Sequence, residues 1–409
     1  MEMLPKFLFS KSITTDFTIH NLPYGVFRTG GSPRIGCAIG DKILDLKVLA
    51  EKKLLHPTLT APTLNPFMAT GKSVWKETRE SIKKFLSDDA PESLSKRPEL
   101  LSSAIVDQSA AEMVMPATIG DYTDFYASEH HAANVGRIFR PNQEPLLPNW
   151  KHLPVGYHGR ASSVVISGTD IVRPCGQLKR PSSIEFGPSE KLDFEVELAA
   201  LIGGPDNALG TCVDANSAAD RIFGIVLMND WSARDIQFWE YVPLGPFLSK
   251  NFGTTISPWV VPLEALEPFM TPLPTQSNPT PLPYLQTSSR EDFLFDMNIV
   301  TRMNGTEISR TNSKNLYWSF SQMIAHHTVG GCNLRAGDLL GSGTISAPEK
   351  SGFGSLLELT WNGKESVQTA AGERTFIQDN DTVEMTGYCQ KGNVRIGFGS
   401  CSGKVVANV

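Results

Sequence analysis

The chain has 409 residues, of which 40% are hydrophobic and 20% are charged, and its formal net charge is −6 at pH 7. This length suits two or three domains of ordinary soluble composition. The negative charge argues against nucleic acid or an anionic membrane surface as a partner. No uninterrupted apolar stretch is long enough to span a bilayer, so a membrane is not an expected partner either.

The cysteines and the two ends of the chain bear on the cellular compartment. The first fifteen residues fit neither a signal peptide nor a transit peptide well, and the final Ala-Asn-Val is no peroxisomal address. We therefore expect reduced thiols and a cytosolic protein. No Cys-x-x-Cys motif or zinc-like spacing occurs among the six cysteines: Cys37, Cys175, Cys212, Cys332, Cys389 and Cys401.

Short and often β-branched apolar runs, separated by frequent glycine and proline, predict a β-rich fold. Residues 21–47 indicate two or three strands joined by Gly-Gly and Gly-Asp turns. In residues 64–87 the apolar side chains follow a helical period. A Gly- and Asp-rich block comes next, and we place a domain boundary there that divides the chain into 1–117 and 118–409.

Two neighbouring carboxylates, Glu195 and Glu197, lie in a run over 192–202 that predicts a buried strand. Side chains two apart on a strand point to the same face, about 6.5–7 Å apart. Two carboxylates in an apolar element cannot both stay ionised unless a cation or a proton compensates them. A divalent metal bound by oxygens is the simplest compensation. The alternative is an edge strand with a hydrated charged face, since Asp and Glu are mostly exposed.

Two further acidic residues favour the metal. The apolar run 223–230 predicts a buried strand that delivers Asp230 at its end, and Asp124 lies in the block 119–126. Carboxylates without Cys or His partners favour hard cations, Mg²⁺ or Ca²⁺, over zinc. The sequence therefore predicts an oxygen-lined cation site.

The second half of the chain carries several other structural signals. Seven prolines in residues 262–283 predict an extended surface excursion, too rich in proline for a helix or a central strand. Residues 293–300 alternate like a strand, and Asn304-Gly305 signals a hairpin. Five side chains share one helical face: Leu316, Phe320, Met323, Ile324 and His327.

Six blocks of unusual composition follow one another along nearly the whole chain. They are Asn21–Phe27, Pro116–Tyr126, Leu153–Ser163, Met228–Gln237, Tyr241–Leu248 and Gly343–Ser346. These blocks resemble the fumarylacetoacetase family. Because they cover the chain from end to end, the resemblance is to the full-length enzymes and not only to their wider superfamily.

The resemblance implies a mainly β (α+β) fold with two domains and a homodimer. An SH3-like β-barrel is expected in residues 1–117, and a larger catalytic β-roll in residues 118–409. The implied reaction is the metal-dependent hydrolysis of a carbon–carbon bond in 4-fumarylacetoacetate, a small diketo acid. The products are fumarate and acetoacetate, and the reaction is the last step of tyrosine and phenylalanine catabolism.

The resemblance also implies two cations. The first is Ca²⁺ in the active site, held by four carboxylates: Asp124, Glu195, Glu197 and Asp230. The second is a structural Mg²⁺ in the loop 250–255, held by the backbone oxygens of Lys250 and Gly253 together with Thr254.

The general base implied by the resemblance is His131, which takes a proton from water. A lone His is more often structural, and the neighbouring His130 is expected to be exposed. Glu358, in an apolar run that we interpret as a strand, is implied to fix the tautomer of His131 and to favour the imidazolium. A paired structural glutamate is the alternative for Glu358.

The remaining implied roles concern developing charge and substrate recognition. Arg234, Gln237 and Lys250 match the group that stabilises the leaving enolate-type charge, although Arg234 and Lys250 could also form surface salt bridges. Arg140 is implied to bind a carboxylate, which suits the bidentate geometry of a guanidinium. Further positions that match substrate contacts, and that ordinary packing could also explain, are Tyr126, Tyr157, Gln237, Tyr241 and Thr344.

Three other functions are compatible with parts of this pattern. One is another superfamily enzyme, such as an acylpyruvate hydrolase or an oxaloacetate decarboxylase, although these relatives lack so long an N-terminal block. Another is a catalytically silent Ca²⁺-binding β protein. A glycosidase that uses Glu195 and Glu197 fits the carboxylate spacing loosely, but Asp124 and Asp230 suit a cation better.

Overall fold

The computed structural model describes residues 7–9, 15–288 and 293–408. The elements of the first part are β1 (Tyr24–Arg28), β2 (Arg34–Ile39), β3 (Lys42–Asp45), α1 (Leu46–Glu51), α2 (Asn65–Met68), α3 (Lys72–Leu86), α4 (Pro98–Ala104), β4 (Ile105–Asp107) and β5 (Glu112–Val114). The strands form an antiparallel sheet in the order β4-β3-β2-β1-β5. Three strands within residues 21–47 and two helices within 64–87 confirm those two predictions. The SH3-like barrel and the boundary near residue 117 stay predictions.

The second part of the chain is larger and contains most of the strands. Its first elements are β6 (Tyr122–Phe125), α5 (Glu129–Phe139), β7 (Gly156–Gly159), β8 (Val164–Ile166), β9 (Ile171–Val172), β10 (Cys175–Lys179), β11 (Ile184–Pro188), β12 (Leu192–Asp193), β13 (Val196–Ile202), β14 (Ile222–Asp230), β15 (Ser232–Ala233), α6 (Arg234–Glu240), β16 (Thr254–Ile256) and β17 (Val261–Pro262). The later elements are α7 (Leu263–Leu266), β18 (Met270–Pro272), β19 (Phe293–Phe295), β20 (Asn298–Met303), β21 (Thr306–Asn312), α8 (Phe320–Thr328), β22 (Leu339–Gly341), α9 (Leu356–Leu359), β23 (Val367–Thr369), β24 (Gly372–Arg374), β25 (Thr382–Lys391) and β26 (Val394–Val406).

Two sheets organise this second part. The first has the order β7-β6-β22-β13-β14-β16-β8, with β17 also paired to β14. The second has the order β21-β20-β25-β26-β9. Leu227 of the first sheet and Met385 and Phe398 of the second belong to one buried apolar cluster. The architecture is therefore mainly β with α+β character.

The central strands of the first sheet also cover the core of the first part. Phe223 of β14 lies 5.6 Å from the ring of Tyr24, 5.8 Å from Phe67 and 5.2 Å from Trp75, measured between ring centroids. Tilted and edge-on aromatic pairs of this kind each contribute about 0.5–1.5 kcal/mol beyond their buried area. β14 is fully buried because apolar side chains pack on both of its faces.

Three predictions about the second half need correction. Residues 262–283 include the short helix α7, because Pro262 lies at its N-cap, where the missing N–H removes no helical hydrogen bond. Among the described strands, β18 pairs only with β19, so it is not a central strand. Residues 293–300 form parts of two strands, because β19 pairs with β18 whereas β20 pairs with β21 and β25. Leu316 precedes α8, which begins only at Phe320.

The predicted hairpin is confirmed. β20 and β21 form a hairpin around Asn304-Gly305, where both residues have positive φ. The cysteines carry free thiols. In the described part of the chain, no helix combines the length and hydropathy that crossing a membrane requires.

Candidate active site

Four carboxylates converge at the centre of the first sheet. Asp124, Glu195, Glu197 and Asp230 are all buried, and each offers an oxygen within 4.8 Å of those of the other three. Asp124 comes from β6, Glu197 from β13 and Asp230 from the last position of β14. The single strand predicted over 192–202 is wrong, because β12 pairs with β15 whereas β13 pairs with β14. Glu195 lies between these two strands, and its backbone N–H donates to Asn229 Oδ1 at 3.0 Å.

Strand register explains why these side chains meet. Glu197 lies opposite Met228, so Asp230, two residues further along β14, faces the same side. On the other side of β13, Ala199 pairs with Gly341, and Gly341 pairs with Asp124. The carboxylates of Asp124, Glu197 and Asp230 therefore lie on one face of the sheet, close together, although they come from three strands.

Two glycines make room for the cluster. A Cβ on Gly341 would lie 2.3 Å from Asp124 Oδ1, so only glycine leaves space for this carboxylate. Gly343 has φ +76°, and its backbone N–H donates to Asp124 Oδ1 at 3.2 Å and to Glu197 Oε2 at 3.0 Å. The Gly343–Ser346 block thus shapes the site through its backbone.

Burial and mutual repulsion set the charges of the cluster. They raise the pKa of Asp124 and of Glu197 well above the usual carboxyl range, with burial as the larger cause. Burial also acts to raise the pKa of Glu195, but the Lys250 ammonium and the Arg234 guanidinium outweigh it, and the pKa is lowered. The cluster therefore has one firmly ionised carboxylate and two that favour the proton unless a cation is near.

The donor set fits a hard divalent cation. Glu197 Oε1 is buried and has no hydrogen-bond partner among the described residues. Such an unpaired carboxylate oxygen is costly unless a cation or a proton satisfies it. A donor set made of carboxylate oxygens suits Ca²⁺ or Mg²⁺. These four residues are the ones that would hold the ion.

A second group, the pair of His131 and Glu358, lies beside the carboxylates. His131 Nδ1 is 2.7 Å from Glu358 Oε2, and both side chains are buried. Burial opposes the charge of Glu358, but contacts with His131 and neighbouring hydrogen bonds outweigh it, and the Glu358 pKa is lowered. Because the carboxylate accepts the Nδ1 proton, Nε2 of the neutral ring is left as an acceptor.

The structure corrects the predicted environment of Glu358. The residue lies in the short helix α9, not on a strand. A continuous apolar run does not by itself distinguish a buried strand from a buried helix. Ser355 favours the helix because its hydroxyl oxygen, at the N-cap, accepts a hydrogen bond from Glu358 N at 3.3 Å. His131 lies in the first turn of α5. His130 is half-buried, not fully exposed as expected.

Arg234, Gln237 and Lys250 form a cationic wall next to Glu195. Arg234 Nη1 lies 2.8 Å from Glu195 Oε1 and 3.0 Å from Gln237 Oε1. Lys250 Nζ contacts Glu195 Oε2 and lies 2.7 Å from Asp230 Oδ2. The surface salt bridge considered for Arg234 and Lys250 is wrong, because they are 3% and 7% exposed.

These groups line a cavity of about 340 Å³. Arg140 borders it and has a buried Nε without a partner among the described residues. Tyr157 O–H donates to Asp230 Oδ2 at 2.8 Å, and the Tyr126 ring lies edge-on to His131 at 5.4 Å. The predicted site residues that line the cavity are Asp124, Tyr126, His131, Arg140, Tyr157, Glu195, Glu197, Arg234, Gln237, Tyr241, Lys250 and Thr344.

The residues predicted to hold a second cation, Lys250, Gly253 and Thr254, lie next to the four-carboxylate cluster. Thr254 Oγ1 donates to Asp230 Oδ1 at 3.2 Å, and Gly253 N lies 3.5 Å from the Lys250 carbonyl oxygen. The Thr254 hydroxyl is thus directed to the first cluster. The second cation stays a prediction.

Sequence reasoning missed two polar residues. Asn134 Nδ2 donates to Glu358 Oε1 at 2.9 Å, and its position one helical turn after His131 could have revealed it. Asp193 is fully buried and pairs with Arg234 Nε at 2.8 Å. A charged residue between Leu192 and Phe194 was its only signal in the sequence.

Family models match both parts of the chain. A family model described as Fumarylacetoacetase N-terminal matches residues 20–116, and one described as Fumarylacetoacetate (FAA) hydrolase C-terminal matches residues 121–406. In the fold comparison, a fumarylacetoacetate hydrolase from Exiguobacterium antarcticum has a TM-score of 0.55 at 18% identity, covering 95% of this chain and all of that chain. At this identity the likeness concerns the fold alone.

Sequence relatives are much nearer. The fumarylacetoacetase of Caenorhabditis elegans is 53% identical over 408 residues, covering 96% of this chain and 97% of the relative. The human fumarylacetoacetase is 52% identical over 410 residues, covering 96% of each chain. The Arabidopsis thaliana fumarylacetoacetase is 50% identical and covers 95% of this chain and 96% of the relative. Such identity over nearly the full length means that this chain belongs to the fumarylacetoacetase family.

Proposed function

We propose that the protein hydrolyses 4-fumarylacetoacetate to fumarate and acetoacetate, in tyrosine and phenylalanine catabolism. One observation carries the proposal: His131, three carboxylates of the cluster and Arg234 line a single cavity. Glu358 and Asp230 lie behind this lining, where Glu358 contacts His131 and Asp230 contacts Lys250. Relatives at about half identity over nearly the full chain support it. Breaking a carbon–carbon bond with water needs an activated nucleophile and stabilisation of a carbanion-like leaving group, and the cavity supplies groups for both.

His131 serves as the general base in this proposal. Its Nε2 accepts a proton from water, and Glu358, which accepts from Nδ1, stabilises the imidazolium that forms. Asn134 and Ser346 donate to Glu358 at 2.9 Å, so the carboxylate cannot rotate away from the ring without losing these bonds. The buried pair is thereby held in one tautomer.

Asp124, Glu195, Glu197 and Asp230 hold the cation in this proposal. When bound, Ca²⁺ would polarise a carbonyl oxygen of the diketone and stabilise negative charge as it develops. Arg234, Gln237 and Lys250 lie on the same cavity and face the charge of the leaving enolate with fixed donors. Lys250, Gly253 and Thr254 hold a structural Mg²⁺ in the same proposal, supported by the family resemblance of this loop.

Substrate recognition rests on Arg140 and the polar rim of the cavity. Arg140 Nη2 makes one hydrogen bond, to the Pro145 carbonyl oxygen at 3.3 Å, and its buried Nε is unpaired in the described protein. A substrate carboxylate would satisfy this guanidinium bidentately. Tyr126, Tyr157 and Thr344 also line the cavity and orient the diketone in this proposal.

The protein acts as a cytosolic homodimer in this proposal. Apolar side chains exposed on the hairpin β10–β11 and on α6 with its following loop form a patch that a second copy would cover. Trp239 Nε1 donates to Gln177 Oε1 at 3.0 Å, which joins the two segments. The patch consists of Ile184, Phe186, Phe238, Trp239, Val242, Leu244, Phe247 and Leu248. Free thiols fit the cytosol.

The experiment that tests the reaction follows the absorbance of the enolised diketone. Purified protein with Ca²⁺ should consume 4-fumarylacetoacetate and yield equal amounts of fumarate and acetoacetate. An acylpyruvate, offered in parallel, should be hydrolysed with a much lower kcat/KM. Preference for the acylpyruvate would assign the protein to another activity of the superfamily. No turnover of either compound would contradict hydrolysis altogether.

A further inference from the structure

The guanidinium of Arg234 is held from behind by a residue that does not line the cavity in the described structure. Asp193 Oδ2 accepts from Arg234 Nε at 2.8 Å, while Nη1 faces Glu195 and Gln237. Arg234 Nη2 is buried and has no partner among the described residues. Asp193 thus fixes the plane of the guanidinium and determines where its unpaired donor points.

The same carboxylate holds the segment that carries Glu358. Asp193 Oδ1 accepts from Leu356 N at 2.7 Å, and Oδ2 accepts from Leu357 N at 2.9 Å. These two amides belong to α9, in which Glu358 follows directly. Phe194 N adds a third backbone bond at 2.8 Å. Asp193 is 0% exposed, so water cannot replace any of these contacts.

We propose that Asp193 is a positioning residue for the hydrolysis proposed above, which couples the orientation of Arg234 to the placement of Glu358. One buried carboxylate, shared between the two, connects the group that meets the leaving charge with the group that orients the base. Catalytic groups must keep their geometry within about 0.5 Å, and that precision depends on supporting hydrogen bonds. This inference rests on the proposed function, because the two groups matter only if both serve the reaction.

A purely structural aspartate would behave differently. Replacing such an aspartate would lower the stability of the protein but leave kcat unchanged for each folded molecule. Asp45 provides the matched control, because it is also 0% exposed, caps α1 through Lys47 N and Val48 N, and pairs with Arg34 at 2.9 Å. It lies in the first part of the chain and does not line the cavity.

The central variant is Asp193→Asn, which keeps the shape but replaces one acceptor oxygen with a donor. We expect kcat to fall about 10- to 100-fold, the usual loss when a partner that orients a site residue is removed, with KM little changed. Asp45→Asn should lose stability with kcat intact. Asp193→Ser is the second variant if a buried amide donor facing Leu356 and Leu357 prevents folding.

Two further measurements decide between positioning and packing. The kcat losses of Asp193→Asn and Arg234→Gln should not multiply, because the first already misplaces the second. Crystal structures of the wild type and of Asp193→Asn should show a displaced guanidinium or a displaced Glu358. Losses that multiply, an unchanged kcat or an unmoved site would each overturn the proposal. If the wild type fails to hydrolyse 4-fumarylacetoacetate, the proposed function fails, and the two crystal structures still decide whether Asp193 positions these groups.

Discussion

Binding of Ca²⁺ to the four-carboxylate cluster should release protons from protein treated with a chelator. Asp124 and Glu197 have raised pKa values, because burial and the neighbouring carboxylates penalise their charge. Both groups therefore keep protons above the usual carboxyl range, and a bound divalent cation removes that penalty. Two such groups set the maximum at two protons per cation. The apparent affinity should then rise by up to about 100-fold per pH unit, a factor of ten for each proton.

The same two groups determine how the cation-free protein responds to pH. Because their folded pKa values exceed the unfolded ones, the native state binds more protons. The free energy of unfolding then falls as pH rises above the ordinary carboxyl range, by up to about 1.4 kcal/mol per pH unit for each group. Glu195 and Glu358 have lowered pKa values, so their contribution is complete above that range and is lost only at lower pH. Saturating Ca²⁺ should abolish the fall in the free energy of unfolding that Asp124 and Glu197 cause.

Isothermal titration calorimetry in two buffers of different ionisation enthalpy measures the released protons directly. The test variant is Glu197→Gln, which removes one carboxyl group that can release a proton. It also removes a negative charge that repels Asp124. It should release at most one proton per cation and bind Ca²⁺ more weakly than the wild type. Glu365→Gln, an exposed site paired with Lys350, is the control. Equal proton release by the wild type and Glu197→Gln, or none by the wild type, would refute the electrostatic account of the cluster.

Three further predictions concern the base, the anion contact and the dimer. His131→Ala should lower kcat by about 10²- to 10⁴-fold, and adding Glu358→Gln should slow it little more, whereas losses that multiply would separate the two residues. Arg140→Lys should raise KM with a smaller change in kcat, because an ammonium cannot reproduce the bidentate contact, and an unchanged KM would show that Arg140 does not bind substrate. Phe186→Asp in β11 should dissociate the proposed dimer in sedimentation velocity, whereas Leu209→Asp, similarly exposed on a loop, should not. A dimer unaffected by Phe186→Asp would exclude the patch.

Local patterns were enough for β14 and for most of β13, although not for every strand. A buried strand that ends in an acidic residue is a local signal, and β13 and β14 follow the apolar runs that predict them. The side-chain period of a strand is fixed at two, so Glu197 and Asp230 could be assigned to a cation site before any contact was known. The family resemblance then predicted roles for residues whose local pattern carries no function, such as Arg140 and Thr344, and these roles stay predictions.

The sequence by itself thus determined the family, the β-rich fold and the residue types of the site, because periodicity, turn residues and motifs are local properties of the chain. Only the tertiary structure decided which of these residues touch. Asp193 meets Leu356 across 163 positions, and His131 meets Glu358 across 227, and no local pattern encodes such pairs. It also decided that Glu358 lies on a helix, since the apolar run around it suits either element and only the Ser355 cap and the surrounding packing favour one.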